Sequence, residues 1–102
     1  GSTVWISGQI PLDPKTMQTV GETAAEQTEQ VMKNLGAVLA AAGGSHANLV
    51  RCTIFLKDMG DFGAVNEIYA RYMPDPPPAR ACVEAARLPR DVLVEIDGIA
   101  VI

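Results

Sequence analysis

Histidine occurs once and cysteine only twice in this 102-residue chain. Cys52 and Cys82 stand far apart with no CxxC spacing, so neither a zinc site nor a redox dithiol is indicated, and two thiols are too few for a disulfide scaffold. Unpaired thiols suit a reducing compartment, and a cytoplasmic location is expected. Aromatic residues make up 5% of the chain, so the core must be built from Val, Ile, Leu and Ala. Cations are scarce too: 8 Lys and Arg against 12 Asp and Glu give a net charge of −4, with no basic cluster. That argues against a nucleic-acid partner held by phosphate neutralisation. No apolar run approaches the ~18 residues that cross a bilayer, and no charged segment precedes an apolar one at the front, so no membrane partner is expected.

The length and the 48% hydrophobic content suit one globular domain. Thr3 to Ser7 is β-rich and runs into Gly8. Gln9 to Val20 carries Pro11, Asp13 and Pro14, all turn formers, with a short strand expected at Met17 to Val20. Glu22 to Ala42 predicts a helix, because Val31, Leu35, Val38, Leu39 and Ala42 repeat as one apolar stripe. Gly43 and Gly44 stop it, and Gly36 within it suggests close packing against the sheet. Leu49 to Lys57 predicts a strand with Val50, Cys52, Ile54 and Leu56 on one face. A second helix is expected from an Asp61 N-cap through Met73, ended by Pro74 to Pro78.

The last quarter, Pro77 to Ile102, reads as two strands around a tight Leu88-Pro89-Arg90-Asp91 turn. Arg80, Cys82 and Glu84 share a face of the first, while Glu95 and Asp97 interrupt the almost wholly apolar second. A cationic fork and a thiol on one strand, with a carboxylate on its neighbour, are the parts of a small polar site. Two helices joining strands by crossovers predict a helix layer on one sheet face. The other face stays apolar, which points to self-association.

Five segments carry a family resemblance: Ser7-Gly8-Gln9-Ile10-Pro11, Asp58-Met59-x-Asp61-Phe62, Val65-Asn66-x-x-Tyr69, Pro78-Ala79-Arg80-x-Cys82-Val83-Glu84 and Val94-Glu95-Ile96-x-x-Ile99-Ala100-Val101. Together they resemble the RidA/YjgF family of reactive-imine deaminases from Thr3 to Ile102. The resemblance implies an α+β, chorismate-mutase-like mixed sheet with two helices on one face, assembled as a homotrimer with clefts between subunits. It implies one domain over residues 1–102 that lacks the family's first strand, a Gly-Pro-Tyr-Ser-like segment pairing with the strand of Trp5. It further implies hydrolysis of 2-imino acids, such as 2-iminobutanoate and 2-iminopropanoate, to 2-oxo acids and ammonia, without metal or organic cofactor. By position, Arg80 matches the carboxylate-binding arginine and Glu95 the water-orienting glutamate. Cys82, Ser7 and Asn66 match substrate-pocket positions.

Each residue also has a plainer reading. Arg80 is otherwise a structural ion-pair partner, Glu95 an interface ion pair, Cys82 a packed strand residue and Ser7 the end of its strand. Tyr69 reads as packing, Trp5 as a buried anchor and His46 as an exposed loop residue. Besides deamination, a non-catalytic small-molecule-binding or regulatory trimer using the same pocket, and a nucleic-acid-directed activity, are the competing functions.

Overall fold

The structure, a computed structural model, describes residues 1–102. In chain order it forms β1 (Thr3–Gln9), α1 (Ala24–Ala41), β2 (Leu49–Leu56), α2 (Phe62–Tyr72), β3 (Ala79–Glu84) and β4 (Val94–Val101). The strands make one mixed sheet in the order β1-β4-β2-β3. β4 runs antiparallel to both β1 and β2, whereas β3 is parallel to β2. Both helices cover one face of this sheet, in line with the expected α+β architecture. No helix is long and apolar enough to cross a membrane.

The expected terminal hairpin is not formed. β3 and β4 do follow one another around a short turn at Pro89–Asp91, but β2 lies between them in the sheet. The turn chemistry of Leu88 to Asp91 is local, whereas strand neighbours are chosen by long-range packing. After the α2 crossover, β3 pairs along the outer side of β2 and β4 along its inner side.

α1 begins at a capping box: the Thr23 hydroxyl accepts from the Glu26 N–H, and the Glu26 carboxylate accepts from the Thr23 N–H. Its apolar stripe is rotated from the sequence expectation. Val31, Leu35 and Leu39 are fully buried, but so are Met32 and Thr28, whereas Val38 is 36% exposed and Ala42 is exposed. Thr28 tolerates burial because its hydroxyl donates to the Ala24 carbonyl, 2.7 Å away. The chain leaves α1 through Gly43 at φ +91, the left-handed conformation expected of its C-terminal glycine.

Further expectations need revision. A β-bridge between Leu12 and Thr19 replaces the short strand at Met17 to Val20. In β2 a register shift between Leu49 and Arg51 turns Val50 outward, to 47% exposure, while Cys52, Ile54 and Leu56 stay in the core. The cap before α2 is Asp58, whose carboxylate accepts from the Gly60 N–H of a 3-10 turn over Met59–Asp61; Asp61 makes no cap bond. Gly36 packs against His46 rather than the sheet, since a Cβ there would stand 2.7 Å from the imidazole Cε1. His46 is accordingly half-buried, its Nε2 bonded to the Met32 carbonyl at 2.9 Å and its ring tilted on Tyr72. Trp5 is 76% exposed.

The core lies between the helices and the sheet, where Leu35, Leu39, Ile54, Ile96 and Val65 are inaccessible to solvent. The opposite sheet face is uncovered and carries Trp5, Val83 and Val101, at 76%, 43% and 47% exposure. Leu35→Ala should destabilise the protein by about 2–5 kcal/mol, since it removes packed methyl groups and leaves a cavity. Val38→Ala should cost less than about 0.5 kcal/mol. Denaturant unfolding of both variants checks this orientation of α1; equal losses contradict it.

Candidate active site

Strand alternation decides where the candidate residues point. Arg80 and Cys82 are in register with Cys52 and Ile54, both buried beneath the helices, so all four belong to the helix-covered side. Glu95 lies in β4 between buried Val94 and Ile96 and opposite Phe55, and therefore belongs to the uncovered face. Arg80 and Glu95 thus occupy opposite faces, with the whole of β2 between their strands. Two strand spacings put the strands about 10 Å apart laterally before the difference in face is counted. Within one copy of the chain these groups do not meet.

Arg80 projects from the sheet edge onto α2. Its guanidinium lies 5.3 Å from the ring centroids of both Phe62 and Tyr69 and donates to the Asn66 Oδ1. Phe62, Asn66 and Tyr69 are spaced i, i+4 and i+7, one row along the helix. Arg80 makes no ion pair; the two salt bridges join Arg71 to Glu67 and Arg87 to Asp91. Its aromatic and amide supports fix the fork without neutralising it. Arg80 and Asn66 line a cleft of about 480 Å³ with Tyr69, Met73, the proline-rich segment of Pro74, Pro77 and Pro78, and Asp75, which forms no ion pair with Arg80.

Cys82 is half-buried against the hydrophobic core. Burial raises its thiol pKa, against the opposing pull of Arg80, so the thiol stays protonated near neutrality and is a poor nucleophile. Tyr69 is 3% exposed, and its hydroxyl faces the Cys52 thiol outside regular hydrogen-bonding geometry. Burial, with the adjacent Cys52 thiol, lifts its ionisation well above the ordinary tyrosine range. Tyr69 therefore acts as a neutral ring beneath a cation.

On the uncovered face, Glu95 and Asp97 differ sharply. Asp97 Oδ1 accepts from the Thr53 N–H at 3.1 Å, whereas the Glu95 carboxylate receives no hydrogen bond. Burial first, and the neighbouring Asp97 charge second, raise the pKa of Glu95 above its ordinary 4.5. Ser7 is exposed in β1 and precedes Gly8, which is packed against Glu95. Ser7 also borders a depression of about 400 Å³ with Trp5, Arg51, Thr53 and Asp97. The expected residues therefore fall into two groups: Arg80, Asn66 and Cys82 on the helix side, and Glu95 with Ser7 on the open face. Sequence reasoning missed Phe62 as a support of Arg80 and took Tyr69 for packing alone, although their helical spacing with Asn66 was a usable signal. No cluster of three or more His, Cys, Asp or Glu side chains is arranged to hold a metal.

This is an α+β protein with an arginine free of ion pairs at the edge of a helix-covered sheet and, on the bare face, a carboxylate of raised pKa that receives no hydrogen bond. A sequence model of the family described as Endoribonuclease L-PSP matches residues 1–102, and the chain belongs to this family, that of the RidA/YjgF proteins. It is 56% identical over 101 residues to Protein DfrA of Myxococcus xanthus, covering 99% of this chain and 77% of that protein. It is 50% identical over 99 residues to a Mus musculus protein named 2-iminobutanoate/2-iminopropanoate deaminase, covering 97% of this chain and 73% of the relative. The solved structure of E. coli TdcF with bound serine superposes with a TM-score of 0.91 at 39% identity, covering 100% of this chain and 82% of that one.

The raised Glu95 pKa has a signed consequence for stability. Between the ordinary value of 4.5 and the raised one, the folded chain holds a proton that the unfolded chain releases, so stability falls as pH rises through that window. Glu95→Gln should therefore raise the melting temperature near neutral pH, with the gain fading below about pH 4. Melting curves across that range check the sign; a loss at neutral pH contradicts it.

Proposed function

We propose that this protein hydrolyses reactive 2-imino acids to 2-oxo acids and ammonia, at a site shared between copies of the chain in a homotrimer. The observation that carries this reading is the Arg80 guanidinium lining its cleft without an ion pair, held by Asn66, Phe62 and Tyr69. A planar fork with no acidic partner suits a carboxylate ligand, which it can hold by two parallel charge-assisted bonds. The mouse relative's name supplies the imine substrate, and the serine bound to TdcF is likewise a small amino acid with a carboxylate. The exposed Trp5, Val83 and Val101 support burial of the bare sheet face by other copies, and such an assembly lets Glu95 of one copy approach Arg80 of another.

In the proposed reaction Arg80 binds the carboxylate and holds the adjacent C=N carbon facing a water molecule. Glu95 takes a proton from that water as the new C–O bond forms and the C=N π pair moves to nitrogen, and it returns that proton to the nitrogen, giving a carbinolamine. Glu95 then takes the hydroxyl proton as C=O forms and passes it to the nitrogen as the C–N bond breaks, so both protons of the water leave with nitrogen as ammonia. A raised Glu95 pKa makes the carboxylate a stronger base for the first transfer. Cys82 and Ser7 line the pocket in this reading, and no cofactor takes part. Imines hydrolyse readily in water, so positioning accounts for much of the acceleration.

The family's endoribonuclease description favours RNA cleavage as a second reading, which the net charge of −4 opposes. The test is turnover of an imine generated freshly by a dehydratase or amino-acid oxidase. Wild-type protein should accelerate oxo-acid release, and Arg80→Ala should lower kcat/KM by roughly 100-fold, the loss of about 3 kcal/mol from two charge-assisted bonds. A folded assembly that binds oxo acid without turnover would establish the binding-module reading instead. Salt-sensitive RNA cleavage lost in Arg80→Ala would establish the second.

A further inference from the structure

The Glu95 carboxylate presents an unexplained point of order. It receives no hydrogen bond, whereas Asp97, two residues on, is pinned by the Thr53 N–H. Yet its position is well defined by what lies beside it. β1 loses register with β4 between Ile6 and Gln9, and Gly8 falls within that irregularity. A Cβ on Gly8 would stand 1.9 Å from Glu95 Oε2, 2.7 Å from its Cδ and 3.0 Å from its Cγ. The carboxylate therefore fills the place where any other residue would carry its side chain.

Glycine at this position is not demanded by the backbone. Gly21 and Gly43 occupy the left-handed region, at φ +94 and +91, but Gly8 does not. Nor do backbone or core atoms appear among the three nearest to the added carbon, all of which belong to the outer half of Glu95. The closest conflict of an alanine here is therefore with this placement of the carboxylate.

We propose that Gly8 is the positioning residue for Glu95: by lacking a side chain it seats the carboxylate, which no bond holds, at the place from which it acts on water. This rests on the role of Glu95 given above. Gly8 acts through Glu95, and the bulge in β1 brings its bare Cα against the carboxylate. The absence of anchoring bonds leaves both oxygens free to receive and release a proton, which a pinned carboxylate such as Asp97 does less readily. Steric seating replaces hydrogen bonding as the source of order.

The experiment compares Gly8→Ala, Glu95→Gln and the double variant in the full chain, by imine turnover and melting temperature. Gly8→Ala should keep the wild-type melting temperature and KM within about twofold, and lose roughly 10- to 100-fold in kcat. In the Glu95→Gln background it should cause no further loss. Gly8→Ala/Glu95→Asp, whose carboxylate is one methylene shorter, should recover part of the loss. Wild-type kcat in Gly8→Ala beside an inactive Glu95→Gln would overturn the positioning role and leave the role of Glu95 standing. Full activity of Glu95→Gln would overturn both. Should Gly8→Ala fail to fold, Gly8→Ala/Glu95→Ala removes the clashing side chain: recovered folding upholds the steric relation, and continued failure overturns it.

Discussion

The insertion of β2 between β3 and β4 governs the arrangement of every polar group considered above. Once β2 pairs with β3 along one edge and with β4 along the other, the strict alternation of strand side chains does the rest. Arg80 shares the side of Cys52, under the helices, and Glu95 the side of Phe55, on the bare face. A direct β3–β4 pairing would have put the strands of the two groups side by side. In its place the fold displays a cation at one edge and a carboxylate of raised pKa on the other surface, and the proposed reaction therefore requires the two to meet between copies.

The two groups are held by contrasting means. Arg80 is gripped by contacts, two aromatic faces and an amide oxygen arranged along one row of α2. Those contacts restrict its rotamers while leaving its charge unspent. Glu95 has no such grip, and its carboxylate lies where Gly8 has no side chain. The half-buried setting and the nearby Asp97 keep its proton bound to higher pH. Binding of a fixed anion favours the first arrangement, and passing a proton favours the second.

Much of this fold was legible in local patterns, because elements set by local chemistry announce themselves. The stripe of Val31, Leu35 and Leu39, the stop at Gly43, the alternation of Cys52, Ile54 and Leu56, and the proline-rich end of α2 all appear in the structure. What failed was long-range. A turn at Leu88 to Asp91 looks the same whether its flanking strands pair or are separated by a third, so the hairpin was inferred and β2 was not placed within it. Trp5 was taken for a buried anchor because large apolar rings usually are, but alternation with buried Ile6 turns it to the bare face. His46 was read as a loop residue because its contact with Gly36 joins segments distant in sequence. Within the candidate site, family resemblance pointed to Arg80 and Glu95, and only the register showed that they face apart.

Mixing two inactive variants tests the shared site most directly. Arg80→Ala and Glu95→Gln are unfolded together, refolded in equal amounts, and mixed assemblies are isolated by a tag on one variant. A site built from Arg80 of one copy and Glu95 of another should be intact at about one position in three of each mixed trimer. Imine turnover should therefore return to a comparable fraction of the wild-type rate. Isolated mixed assemblies that remain as inactive as either parent would contradict the account.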